Sequence, residues 1–113
     1  MTVLTATAVP NNTAVNVAAV SVGTAPTQIA PGSIGANGAL VQILNGSGSS
    51  MTVTVEDPTF TGAGNAPSEP AQSITNGSDR WFRILPANID PATGYALLTL
   101  STVTTVTYRL IPG

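Results

Sequence analysis

Apolar residues recur at every second position along most of this chain, and helical spacing is almost absent. Met51, Val53 and Val55 alternate with Thr52, Thr54 and Glu56, which reads as a half-buried strand with Met and Val inward. β-branched side chains suit that pleated surface because their stiff χ1 costs little there. Upstream, Val41 and Ile43 share one face of a strand over 39–44, and Leu40, Gln42 and Leu44 share the other. The linker Asn45–Ser50 is built from Asn, Gly and Ser. Strand, turn and strand together predict a β-hairpin, its register set by Val41 and Ile43 meeting Val53 and Val55.

The same reading extends to both ends. Residues 2–9 form a first strand or an extended arm, and 10–13 a turn. Residues 14–22 predict a strand whose phase breaks at Ala18 and Ala19, the place for a bulge. A short strand over 27–30 precedes a loop, 31–38, with three glycines. Residues 57–72 form a long connection rich in Pro and Gly, beyond the usual loop range. Ser73–Thr75 adds a short strand. In 80–85, Trp81, Arg83 and Leu85 share one face, and Arg80, Phe82 and Ile84 the other. Two closing strands, 95–100 and 103–110, are joined by Ser101 and Thr102, and the last alternates Val106, Tyr108 and Leu110 with Thr107 and Arg109.

About seven or eight short antiparallel strands with turns at this spacing predict an all-β fold. The preferred architecture is a small β-sandwich, jelly-roll-like, with an extended N-terminal segment. Residues 1–30 are expected to form that arm or edge strands, and 31–113 the sandwich domain. Deleting 1–12 is then expected to leave a folded domain.

Composition narrows the chemistry. The chain of 113 residues suits one domain and buries roughly two thirds of its unfolded surface. It contains no Cys, no His and no Lys, and only 7% of its residues are charged. Disulfides, thiolate metal sites and a Cys nucleophile are excluded. A Ser or Thr nucleophile lacks its usual base. With a net charge of −2 there is no basic footprint for nucleic acid. No membrane span or export signal is legible, so synthesis in the cytoplasm is expected. Without a leader, the sequons at Asn11, Asn45 and Asn76 carry no meaning.

Carboxylates offer little more. Glu56 and Asp57 are adjacent at a strand end, so they point to opposite faces and make a poor pair even with Asp90 nearby. Asp57, Glu69 and Asp79 lack the spacing of a Ca²⁺ motif. Gly62-Ala-Gly64 opens no helix and is no phosphate loop. No catalytic residue, cofactor or metal ligand is assigned. The surface of Thr, Ser, Asn and Gln is cheap to desolvate, which suits a chain that lies against other protein; a plain Thr-rich β-domain is the other reading. Arg80, Trp81, Arg83 and Arg109 are the candidate interface residues, because Trp and Arg are enriched at binding hot spots. The reading given more weight places 80–83 in the core with arginines at its edge; an exposed Trp81 would point instead to a protein interface.

The order of features from about 36 to 110 resembles the small capsid decoration (cement) proteins of tailed bacteriophages that infect actinobacteria. The matching pieces are the strand 39–44, Asn45-Gly-Ser47, Thr52-Val-Thr-Val55 running to Pro58, and a Gly-rich connection. The bulky segment 81–84, a strand after Asp90 and Gly94, and the closing Thr-Val-Thr run with Arg109 follow. The resemblance implies a non-enzymatic β-sandwich that binds the outer surface of an icosahedral capsid and stabilises it. The implied partner is the major capsid protein, with no nucleic acid and no membrane, and the implied location is the outside of the virion. A homo-oligomer is expected, a trimer before a dimer. The alternative function is a phage tail, head-completion or receptor-binding β-domain; an enzyme or carbohydrate-binding module is the third class.

Overall fold

A computed structural model describes residues 2–9, 12, 14–57 and 71–113. Among them are nine strands: β1 (Thr2–Leu4), β2 (Val20–Ser21), β3 (Thr27–Ile29), β4 (Ala39–Asn45), β5 (Met51–Val55), β6 (Gln72–Ile74), β7 (Asp79–Ile84), β8 (Ala96–Leu100) and β9 (Val106–Ile111). One helical turn, α1 (Pro31–Ile34), and a 3-10 turn, Pro86–Asn88, interrupt two segments read as loop from sequence. Each starts with proline, whose fixed φ suits the first helical position. The long connection, with Gly62, Gly64 and Glu69, lies outside the described residues over 58–70.

The strands form two sheets, ordered β1-β3-β8-β5-β6 and β2-β9-β4-β7. From β2 onward each strand enters the sheet opposite its predecessor, except that β5 and β6 share one. The pair of four-stranded orders, β3-β8-β5-β6 and β2-β9-β4-β7, is the jelly roll, two Greek keys folded into a sandwich. β1 adds a strand beside β3 in parallel register, Thr2 opposite Thr27 and Leu4 opposite Ile29, so the expectation of purely antiparallel pairing is corrected there.

The expected hairpin is also corrected. β4 and β5 do not pair: β4 lies between β7 and β9, and β5 between β6 and β8. The linker carries the chain across the sandwich, and the same holds between β8 and β9. The inward faces were read correctly. Val41, Ile43, Val53, Tyr108 and Leu110 all lie in one buried core with Ile29, Met51, Ile74, Ile84 and Leu98. Val41 and Ile43 thus belong to the same core as Val53 from the opposite sheet, rather than fixing a shared ladder.

The N-terminal segment supplies strands to both sheets. Leu4, Val22 and Ile29 are buried in the core, β1 and β2 stand at sheet edges, and β3 lies between two strands. Only Val20 and Ser21 of the expected strand 14–22 are in a ladder; Val15 is exposed and Val17 half-buried. β9 starts at Val106 rather than Val103, because Thr105 takes a left-handed φ of 56° and ends the turn.

That turn docks against the one after β4. A Cβ on Gly46 would stand 2.7 Å from the Thr105 carbonyl oxygen, so only glycine allows the approach. Asn45 locks the turn from inside. It is buried, its Nδ2 donates to the carbonyls of Ser49 and Ile74 at 2.8 Å each, and its Oδ1 accepts from Ser47 N and Oγ. Four hydrogen bonds satisfy this amide in full. Gln28 is its opposite: buried between β1 and β8, with no hydrogen-bond partner for Oε1.

These two amides should respond to substitution with opposite signs. Asn45→Ala removes a buried amide with its bonds to Ser47, Ser49 and Ile74 and should cost about 2–4 kcal/mol. Gln28→Met removes an orphan acceptor at similar volume and should add about 1 kcal/mol. Urea unfolding with an unchanged m value measures both; a stable Asn45→Ala chain would show that the turn does not depend on its side chain.

Candidate protein interface

β7 is the last strand of the four-stranded sheet, and among the described residues no strand pairs with its far side. Its direction within the ladder follows from β4. Asn45 N donates to Ser78 O at 3.0 Å, and Gly77 N donates to Asn45 O at 2.8 Å. In an antiparallel pair, alternate residues bond the same neighbour. Arg80, Phe82 and Ile84 therefore address β4, and Asp79, Trp81 and Arg83 turn their N–H and C=O groups to the open edge. Leu85 continues that series, and its N–H is taken by Asn88 Oδ1 at 2.9 Å, which closes the edge at that end.

The side chains follow the same alternation. Trp81 and Arg83 project from the outer face, with Trp81 half exposed at 50%. Phe82 and Ile84 point inward, Ile84 into the core and Phe82 packed against it. Arg80 shares their face but lies at the rim, exposed, its guanidinium donating to Asp79 O at 2.7 Å. Arg83 donates to Asn37 O at 3.1 Å. A groove of about 420 Å³ runs between this edge and that of the other sheet, lined by Val55, Gln72, Ser73 and residues 80–83.

Arg109 is not part of this edge. It lies on β9, with Gln42 of β4 between it and Trp81 in one cross-strand row. Its Nε donates to Val17 O at 2.9 Å and its terminal nitrogen to Gln42 Oε1 at 2.8 Å. The Gln42 amide then donates to the Asp79 carboxylate. This relay ties β7, β4, β9 and the stretch before β2 across the outer face. So Arg80, Trp81 and Arg83 come together, and Arg109 serves the sheet instead. Gln42 and Asp79 were missed from sequence, because nothing short of the strand register places them beside Arg109.

Reactive groupings are not assembled. Among the described residues no three His, Cys, Asp or Glu side chains could share a metal ion. Glu56 accepts from Thr99 Oγ1, and Asp90 Oδ1 accepts from Ala92 N in its own turn. A second recess, about 330 Å³ and mostly apolar, is lined by Pro26, Thr27 and residues 97–100 with Val103.

The two kinds of arginine should separate on substitution. Arg109→Met breaks two hydrogen bonds made by a half-buried cation, and should cost about 1–3 kcal/mol. Arg80→Met, at an exposed rim, should stay within about 0.5 kcal/mol. Thermal melts compare them, and equal effects would show that the relay contributes nothing.

Comparison with known protein families, with curated protein sequences and with solved structures finds no match to this chain.

Proposed function

We propose that this protein is a structural virion component that binds the outer surface of a phage capsid and stabilises the shell. The observation that carries this reading is an asymmetry of charge. No strand of the five-stranded sheet contains a charged residue: β1, β3, β5, β6 and β8 read TVL, TQI, MTVTV, QSI and ALLTL. The strand charges all belong to the other sheet, as Asp79, Arg80, Arg83 and Arg109. The outer face of the five-stranded sheet carries Thr52, Thr54, Ser73, Leu97 and Thr99, with Glu56 at its end, just past β5, accepting from Thr99 Oγ1.

Such a face gives up little hydration when covered, because hydroxyls and short apolar groups cost far less to desolvate than ions. Depletion of charge is what distinguishes the buried centre of a protein interface. A repeating lattice then multiplies modest single contacts through avidity. The jelly roll is an architecture that viral capsid and lectin domains use. Fold alone does not define function; the charge-poor face and the resemblance to decoration proteins favour a contact role. The major capsid protein is the partner this reading requires.

Purified protein should co-sediment saturably with phage shells assembled without it, and the binding should survive added salt, since few charges take part. Absence of binding at every salt concentration would overturn the reading. Desolvation makes a sharper demand: Thr52→Lys and Thr52→Glu should both weaken shell binding, each by about tenfold or more. Opposite effects of the two signs would mean that charge steering, and not an uncharged contact, governs the face.

A further inference from the structure

The open edge of β7 has a charge pattern that is complementary to itself. We propose that β7 pairs antiparallel with β7 of a second copy, about a two-fold axis at Trp81, joining the two four-stranded sheets into one. The proposal does not depend on the capsid reading.

Three observations lead to it. First, the groups that face the edge belong to Asp79, Trp81 and Arg83, so any added strand must bond to these residues. Centring the axis on Trp81 pairs Trp81 with Trp81 of the second copy and Asp79 with Arg83 of the second copy, all bonding residues. The ladder and the symmetry therefore agree without a shift. Second, cross-strand partners project on one face. In this register Asp79 and the second copy's Arg83 lie opposite each other on the outer face, twice by symmetry, with the Trp pair between them. Arg80 lies opposite the second copy's Phe82 on the groove side, where a guanidinium can sit against the ring. Neighbouring registers lose the carboxylate–guanidinium pairing: centring on Phe82 sets Asp79 against Leu85. Third, charge is the device that guards this edge, through Asp79, Arg80 and Arg83, and against a second copy the Asp79 and Arg83 charges attract instead of repelling. The edge has no proline and no bulge among residues 79–84, it exposes Trp81 at 50% and Leu85 at 46%, and six residues make it the longest edge strand of the fold. At the other end of the sheet the far side of β9 is taken up, by β2 and by Thr7, whose N–H donates to Leu110 O, and the terminal strand β2 is only two residues long. An isologous contact of this kind closes as a dimer. A trimer, expected from the resemblance, does not follow from it.

Light scattering on a sizing column tests the pairing with the pure protein. The wild-type chain should give a concentration-dependent species of twice 11.3 kDa. Asp79→Arg leaves only cations on the outer face of β7, and Arg83→Asp leaves only anions. Each variant alone should associate about tenfold to a hundredfold more weakly, because like charges then stand opposite each other. Mixed together, the two variants should form a heterodimer, and the double variant Asp79→Arg/Arg83→Asp should recover the homodimer. Hydrogen exchange on the wild type gives a readout that needs no variant: the Trp81 and Arg83 amides should gain protection as concentration rises. A wild-type monomer at all concentrations overturns the proposal and leaves the edge to a strand of another protein. A trimer, a dimer indifferent to both variants, or no recovery on mixing overturns it equally.

Discussion

The fold depends on strands that bury one face against a sheet to which a chain neighbour belongs; the two-residue edge strand β2, exposed on both faces, is the exception. Val41 and Ile43 are fully buried in β4, and Val53 is fully buried in β5, yet the two strands have no ladder in common. Burial of apolar area drives the two sheets together at about 25 cal/mol per Å². Hydrogen bonding can be completed only after that contact brings distant strands side by side. The turn locked by Asn45, the close approach at Gly46 and the relay through Arg109 all serve the same geometry. They fix the ends of strands whose partners lie far away in sequence.

This explains what was legible in the sequence. Period-two alternation sorts the residues of a strand into two faces, and the buried ones are 41 and 43, 51 and 53, 84, and 106, 108 and 110; for 80–85 the pattern leaves open whether the Trp81 or the Phe82 face turns inward. It does not tell which strand lies alongside. Asn45–Ser50 has the residues of a hairpin turn, but a turn between paired strands and one between packed sheets use the same Asn and Gly chemistry. Jelly-roll topology came from counting strands and turns, and the parallel pair of β1 with β3 was invisible because three residues carry too little pattern. At the candidate interface the exposed Trp81 and its flanking arginines could be named from residue type alone. The removal of Arg109 from that set required the register that puts Gln42 and Asp79 beside it.

Charge is distributed by sheet rather than by segment. The five-stranded sheet is free of ions in its strands, and the other sheet collects Asp79, Arg80, Arg83 and Arg109. A chain with so few charges thereby acquires two chemically distinct sides. One side can be covered at low desolvation cost, and the other can select its neighbour by sign and register. Such a division suits a protein that must contact two different kinds of surface at once.

The position of β9 has a consequence for the order in which the molecule can assemble. β9 stands between β2 and β4, so the four-stranded sheet has no continuous centre until residues 106–111 exist. During synthesis β4 gains its first ladder with β7, but β2, which emerges earlier, must wait for β9 before it has any partner. Such long sequence separation between partners raises the entropic cost of loop closure and slows folding. The ladders of 51–55 and 96–100 involve only strands that precede β9, so the five-stranded sheet can close first and offer its buried face as the template on which the other sheet is completed. The two sheets thus differ in timing as well as in charge: the charge-poor one can form early, and the one that carries Arg109 last.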